Sequence, residues 1–170
     1  MSTQVTQKPP QAKTPSLWPA ENTYLDAAGE ARLLDYASSI PTRLAAIEEL
    51  AAQEASIASE TSDLIFERYP KVEKRIEGRE KTERDLILIL RYCGEAMLRD
   101  DRAWLEEQLL HWLRTMLVAY RFGQGCLRDS YLWLDARCKQ HLSAESYRLL
   151  APYLNDVIQV VPEGENQDET

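Results

Sequence analysis

Histidine and cysteine carry much of the chemistry that proteins perform near neutral pH, and this chain has few of either. Its histidines are His111 and His141, and with only these two a catalytic triad or a multi-histidine metal site is hard to assemble. The Walker A, GxGxxG, HExxH and nucleophile-elbow motifs do not occur in the sequence. The many carboxylates show no pairing suited to acid–base catalysis and are interpreted as solvated helix faces. The sequence predicts a protein that is not an enzyme and has no metal site.

His111 is a candidate ligand of a prosthetic group. It stands between Leu110 and Trp112 in a predicted apolar helix, where a histidine can act as an axial haem ligand, as in a globin. The favoured interpretation is a partly buried histidine with one hydrogen bond. A haem-binding, globin-like sensor that uses His111 is the alternative.

The three cysteines predict neither a disulfide framework nor a zinc site. Cys93, Cys126 and Cys138 are odd in number and show no CxxC spacing, which favours a reducing compartment. Cys93 shares an apolar helical stripe with Leu86 and Met97, so we expect a buried, inert thiol there. Cys126 follows a glycine turn, and we expect it to be exposed.

Two tryptophans are spaced as if they belonged to one surface. Trp104 and Trp112 are eight residues apart in a predicted helix, which corresponds to one helical face. Aromatic side chains at this spacing are more often part of a core or an interface than the wall of a ligand pocket. We therefore expect packing, rather than pigment binding, from this pair.

The elements that must position these residues are predicted to be helices. The chain has 170 residues and only 6 glycines, too few for the frequent turns of a β-sandwich or barrel. Its formal charge of −8 opposes binding to nucleic acid. No stretch reaches the ~20 apolar residues of a membrane span, and the N-terminal residues lack the apolar core of a secretory signal.

The prolines and the apolar periodicity divide the chain into segments. We predict a disordered leader over residues 1–20, a single domain over 21–161 and a disordered acidic tail over 162–170. Within the domain, a loop is expected at 71–82 and a turn at 123–125. Ser143 is expected to cap the last helix, which Pro152 must kink or restart. The predicted helices cover residues 42–69, 84–98, 103–121, 127–141 and a final stretch after 143.

Four segments, in the right order, resemble the phycobiliproteins. Asp26–Gly29 is similar to the family's D-x-x-G turn, Phe66–Pro70 to its N-K-F-P, and Tyr153–Ile158 to its S-Y-L-D-Y-A-I-N. Lys81–Asp85, which reads KTERD and precedes LILILRYCGEAM, resembles the segment K-C-A-R-D and its apolar helix. The resemblance spans about residues 24–161. It implies an all-α, globin-like helical fold of the phycobiliprotein type with an N-terminal helical extension.

The departures from the family pattern bear on its pigment. The cysteine that anchors the bilin corresponds to Thr82, whose hydroxyl cannot form the thioether, and the preceding loop is shorter than in the family. Arg84 and Asp85 are retained. In the family they pair with a bilin propionate and with pyrrole nitrogens, so here they are candidates for contacts to a non-covalent bilin. The competing interpretation is that both residues only begin a helix.

The resemblance implies a divergent phycobilisome protein of a cyanobacterium that works in photosynthetic light harvesting without covalent bilin. We expect it to act by protein–protein contact in antenna assembly or regulation. Its partner would be a phycobiliprotein-like subunit or a second copy, joined through the N-terminal helices over residues 24–50. We expect it in the cytoplasm, with the phycobilisome at the cytoplasmic face of the thylakoid membrane as one location. The alternative function is transient, non-covalent binding of a tetrapyrrole.

Overall fold

All regular elements in the computed structural model are helices. The structure describes residues 23–74, 78–120 and 124–160, and these ranges contain no β-strand. This architecture confirms the predicted all-α, globin-like fold. The predicted disordered segments, 1–20 and 162–170, lie outside the described residues. In chain order the elements are α1 (Ala27–Arg68), α2 (Pro70–Glu73), α3 (Gly78–Arg99), α4 (Arg102–Leu105), a π-helical turn (Glu106–Leu110), α5 (His111–Tyr120), α6 (Gln124–His141) and α7 (Ala144–Val160).

Helix α1 is the longest element and begins earlier than predicted. The Asp26 side chain caps it by accepting a 2.7 Å hydrogen bond from the backbone N–H of Gly29. The predicted start at residue 42 was wrong, because α1 continues through Pro41 for 42 residues in total. A proline inside a helix removes one backbone donor, and tertiary contacts can offset that loss. The helix ends where Tyr69 leaves helical geometry, immediately before Pro70.

Within the predicted loop over residues 71–82, residues 71–73 and 78–82 are helical, so the prediction was wrong there; residues 75–77 lie outside the described residues. Helix α2 covers its beginning, and α3 begins at Gly78, before the apolar stripe that was used to place it. The prediction weighed the charges and the glycine as loop signals. Charged side chains fit an exposed first helical turn equally well, and glycine costs only about 1 kcal/mol in a helix.

The core lies where α1 crosses α3, α6 and α7. The apolar stripe predicted on α3 is confirmed as buried. Gly94 brings α3 very close to α1, since a Cβ atom at this position would lie 3.0 Å from Ile47 Cδ1 and 3.1 Å from Leu50 Cδ2. The fully buried large side chains are Ile57, Leu90, Met97, Leu105, Leu134, Leu150, Leu154 and Val157.

The π-helical turn separates the two tryptophans that were predicted to share a face. Trp104 is half-buried and packs on Tyr92, with ring centroids 5.9 Å apart. Trp112, after the turn, is 54% exposed. A π-turn holds one residue more than an α-helix with the same rotation, so it does not by itself move Trp112 to another face. The predicted packing is confirmed for Trp104, whereas Trp112 does not pack into the core.

The last two helices begin close to their predicted positions. Helix α6 starts at Gln124 and includes Gly125, so these two residues belong to a first helical turn; Gly123 lies outside the described residues. Ser143 caps α7 as predicted, with its hydroxyl accepting a 3.3 Å hydrogen bond from the backbone N–H of Ser146. Helix α7 is continuous through Pro152 rather than restarting there.

Candidate functional site

Arg84 and Asp85, the two residues predicted to contact a bilin, lie on the outward surface of α3. Their side chains are 68% and 62% exposed. Arg84 donates from Nε and Nη2 to Oδ1 of Asp85, at 3.1 Å and 2.9 Å. The two charges therefore neutralise each other. For Arg84 to bind a carboxylate and Asp85 to accept from N–H groups, this ion pair must first open.

An open cavity of about 700 Å³ lies beside Arg84. Its volume falls within the range of small-molecule pockets, roughly 300–1,000 Å³. Ile87 and Leu88 give it an apolar wall, while Arg84 and Arg91 place guanidinium groups at its edge. Such a surface suits a molecule with an apolar body and carboxylate groups. The lining residues in the described part of the chain all belong to α3: Arg79, Glu80, Glu83, Arg84, Ile87, Leu88 and Arg91.

The other arginines beside the cavity are paired with carboxylates of α1. Arg91 donates to both oxygens of Glu54, at 3.0 Å and 2.5 Å, and these contacts raise its pKa. Arg79 lies 2.8 Å from Oδ1 of Asp63. An anionic ligand would therefore compete with protein carboxylates for each guanidinium. This competition favours weak, reversible binding over tight capture.

Thr82 lies one turn before Leu86 on the same helix. Its hydroxyl donates a 2.7 Å hydrogen bond to the backbone carbonyl of Gly78 and is half-buried. Thr82 has no sulfur atom, so the thioether of the family cannot form at this position. Arg84 and Asp85 remain next to it, with the anchoring atom absent.

Tyr131 was missed by the sequence analysis although it adjoins this region. It is buried on α6, and its pKa is raised by burial and then by the negative charge of Asp85. Asp85 and Tyr131 therefore lie within electrostatic reach of each other across the boundary of α3 and α6. No local signal in the sequence connects these helices, because Tyr131 resembles any other core tyrosine in its segment.

The cysteines follow the predictions in part. Cys93 and Cys138 are fully buried, and burial raises the pKa of both thiols, that of Cys138 to about 12. These thiols are therefore protonated and poorly reactive at neutral pH. Cys126 is half-buried rather than fully exposed. In the described residues, no group of three or more histidine, cysteine, aspartate or glutamate side chains is placed to hold a metal ion.

His111 occupies an exposed position at the start of α5. The favoured prediction of a partly buried histidine was wrong, because it relied on the apolar neighbours Leu110 and Trp112, and adjacent residues of a helix point about 100° apart. Its neighbour Trp112 is also exposed. An axial haem ligand needs an enclosed apolar pocket around the metal, and these two exposed side chains give no support to that alternative.

The first part of α1, residues 27–42, is called the arm. Gly29 is its one buried residue, and most of its other side chains are exposed. Leu34 is 70% exposed on the arm, and Tyr24, just before it, is 98% exposed. These two exposed apolar positions make the arm a candidate contact surface for another protein. None of the described helices is both long enough and apolar enough to cross a membrane.

Comparison with known proteins agrees with this architecture. The model of the family described as phycobilisome protein matches residues 19–161, which is most of the chain. The match includes all the helices, the arm and the Thr82–Asp85 segment. No curated protein matches the sequence significantly. On the strength of the family match and the helical fold, the chain belongs to the phycobilisome protein family.

Proposed function

We propose that this protein acts by protein–protein contact in the assembly or regulation of a light-harvesting antenna, without a covalently attached bilin and without catalysis. The family supplies the light-harvesting setting. The observation that carries the proposal is Thr82, which stands at the tethering position with its hydroxyl hydrogen-bonded to Gly78. A protein that keeps the helical packing without the anchoring atom retains its surfaces as its means of action.

The arm is the proposed contact surface. The arm is the N-terminal part of a helix of 42 residues, and it exposes Leu34. Leu44, which follows the arm on α1, is 46% exposed. Burial of apolar surface contributes roughly 25 cal/mol per Å², so covering these side chains would favour association. The proposed partner is a phycobiliprotein-like subunit or a second copy. The proposed location is the cytoplasmic face of the thylakoid membrane, with the phycobilisome.

The proposal is tested by purifying the tagged protein from a bilin-producing host and recording absorption and co-purifying proteins together. We expect phycobiliprotein subunits to co-purify, and no pigment to stay with this polypeptide under denaturing conditions. Leu34→Glu should weaken the association. Leu132→Glu is the matched control, because Leu132 is also exposed, at 43%, but lies on α6. Covalent pigment on the wild-type chain, or equal partner recovery from both variants, would contradict the proposal.

A second candidate function, reversible binding of a tetrapyrrole, is supported by the cavity beside Arg84. Its apolar wall and its guanidinium groups match the chemistry of a linear tetrapyrrole with two propionates. Titration with free bilin should give a red-shifted, intensified absorption band. Arg84→Gln and Asp85→Asn should each weaken binding, whereas Arg99→Gln, which alters an exposed ion pair elsewhere on α3, should not. An unchanged bilin spectrum would remove this candidate.

A further inference from the structure

Pro41 creates a weak point between the arm and the remainder of α1. Proline has no backbone N–H, so the helical hydrogen bond to the carbonyl of Ala37 is missing at this position. Sharp bends in helices usually occur at such residues. The direction in which the arm leaves the body therefore depends on contacts made around Pro41 rather than on the helix backbone alone.

Arg43 supplies the main contacts on the body side of Pro41. Arg43 is only 9% exposed, and all three nitrogens of its guanidinium group make polar contacts. Nε donates to Oγ of Ser39 at 2.8 Å, Nη1 donates to the carbonyl of Met97, and Nη2 lies 2.9 Å from Oδ1 of Asp100. Because Ser39 precedes Pro41 and Arg43 follows it, one side chain bridges the weak point and ties both sides to the end of α3.

Tyr36 adds a contact on the arm itself. Its hydroxyl donates a 3.1 Å hydrogen bond to the carbonyl of Leu98, and its ring lies under the Arg43 guanidinium at 5.8 Å. We call Tyr36, Ser39, Arg43 and Asp100 the latch. The Tyr36 bond joins the arm directly to another helix.

Asp100 adopts a backbone conformation that favours glycine, with φ 53°. A glycine would hold this turn without strain, but it would lack the carboxylate. That carboxylate binds Arg43 and also accepts a 3.3 Å hydrogen bond from the Tyr153 hydroxyl of α7. Aspartate is among the non-glycine residues that tolerate this conformation, and its carboxylate also supplies the ion pair.

We propose that the latch fixes the direction of the arm across Pro41 and so positions the surface that binds the partner. This inference rests on the proposed function for its biological consequence. The proposed effect of the latch on the direction of the arm rests on the latch contacts alone and does not depend on the partner. Asp100 and Arg43 are positioning residues in this proposal, since they hold the arm without belonging to its exposed face.

The test measures the arm directly in the full chain. Spin labels at Ala31→Cys on the arm and Glu145→Cys on α7, in a Cys126→Ser background, report the distance between arm and body by pulsed electron paramagnetic resonance. Both labelled positions are exposed. We expect Asp100→Asn to broaden the distance distribution while helix content is retained. Tyr36→Phe is the milder variant, and it should broaden the distribution less.

A second substitution, which restores the helix at Pro41, distinguishes a positioning role of Asp100 from a general loss of stability. Pro41→Ala restores the missing helical hydrogen bond, so the double variant Pro41→Ala/Asp100→Asn should regain a narrow distribution. Glu95→Gln is the matched control, because Glu95 forms an exposed ion pair with Arg99, and neither residue belongs to the latch. It should leave the distribution unchanged.

Partner binding completes the test. Asp100→Asn should weaken self-association, or binding to co-purified phycobiliprotein subunits, about tenfold or more, as expected for losing a hydrogen bond to a charged group, and Pro41→Ala should restore it. An unchanged distance distribution in Asp100→Asn would overturn the latch, whatever happens to binding. A broadened distribution without any partner for the wild-type chain would refute the proposed function and leave the geometric inference supported.

Discussion

The Tyr69 hydroxyl donates a 2.6 Å hydrogen bond to Oδ2 of Asp129, which ties the end of α1 to the first turns of α6. Tyr69 is 5% exposed, and its ring also lies 6.4 Å from that of Trp133. The bond joins residues 60 positions apart in the sequence. It closes the helical body at the end opposite to the latch on α1.

Tyr69→Phe should destabilise the protein by about 1.5–3 kcal/mol, the usual range for losing a hydrogen bond to a charged acceptor. Burial and the Asp129 hydrogen bond raise the pKa of Tyr69 above its ordinary value of 10.0. Above about pH 10 the unfolded chain ionises this tyrosine while the folded chain resists, so the free energy of unfolding should fall as pH rises. Urea unfolding at pH 7 and pH 10.5 measures both effects.

Tyr24→Phe is the control for this prediction, because Tyr24 is almost fully exposed. It should change neither the stability at pH 7 nor the alkaline loss. Some alkaline loss should persist in Tyr69→Phe, since burial raises the pKa of Tyr131 and Tyr153 as well. A stability at pH 7 equal to that of the wild type would contradict the role assigned to the Tyr69–Asp129 bond.

Glu49 should protect the protein against acid. Hydrogen bonds from Ser146 and from the backbone of Ser143 hold the pKa of Glu49 below 4.5. A depressed pKa contributes stability at neutral pH that is lost as pH falls below about 4.5. Glu49→Gln should therefore lower the free energy of unfolding by about 1 kcal/mol at pH 7, and the difference from the wild type should shrink at pH 3.

The neighbouring Glu48 offers a matched control for acid stability. It is exposed on α1, and Glu48→Gln should leave the stability at pH 7 within about 0.5 kcal/mol of the wild type, as is usual for surface substitutions. Denaturant unfolding followed by circular dichroism at both pH values provides the comparison. Equal behaviour of the two variants would show that Glu49 has no special role at the start of α7.

Thr82→Cys should give the chain a covalent bilin when it is produced in a bilin-synthesising host. The substitution supplies the sulfur that a thioether requires, beside Arg84 and Asp85, whose side chains are exposed and paired with each other. Zinc-enhanced fluorescence of the denatured polypeptide and the mass of the peptide carrying residue 82 measure attachment. Thr82→Ser is the control and should remain without pigment. Absence of pigment on the cysteine variant would mean that the surrounding surface no longer accommodates a bilin.

Gly94 should tolerate little enlargement. A Cβ at this position lies at 3.0–3.1 Å from Ile47 and Leu50, so a β-branched side chain would push α3 away from α1. Gly94→Val should destabilise the protein by about 1–3 kcal/mol. Gly94→Ala should cost less, because the better helix propensity of alanine, about 1 kcal/mol, offsets the crowding. Thermal unfolding of both variants gives the order, and a valine variant as stable as the alanine variant would contradict the close approach.

The fold was largely predictable because its helices are amphipathic. On α3 the stripe Leu86, Ile89, Leu90, Cys93 and Met97 was predicted from periodicity, and all five residues are buried. The start of α1 was not predictable in the same way. Pro41 is a strong local signal against a helix, and the contacts that brace it come from Asp100, far away in the sequence. Local patterns do not contain that information.

Some residues of the candidate site were also predictable from the sequence, and others were not. Arg84 and Asp85 are adjacent in the sequence, so their common location on α3 followed from the resemblance and from helix geometry. Tyr131 could not be assigned to the same region, because only the packing of α6 against the rest of the body brings it near Asp85. The carboxylate partners of Arg79 and Arg91 on α1 were missed for the same reason.

The π-helical turn at Glu106–Leu110 holds one residue more than an α-helix with the same rotation would need. Deleting one residue within the turn should therefore restore α-helical geometry and leave the following helix, with the exposed Trp112, on its present face. The same deletion in a regular helix such as α3 would rotate every later residue of that helix by about 100°. At this turn the gene can lose a codon while the subunit keeps the aromatic group that it offers to its surroundings.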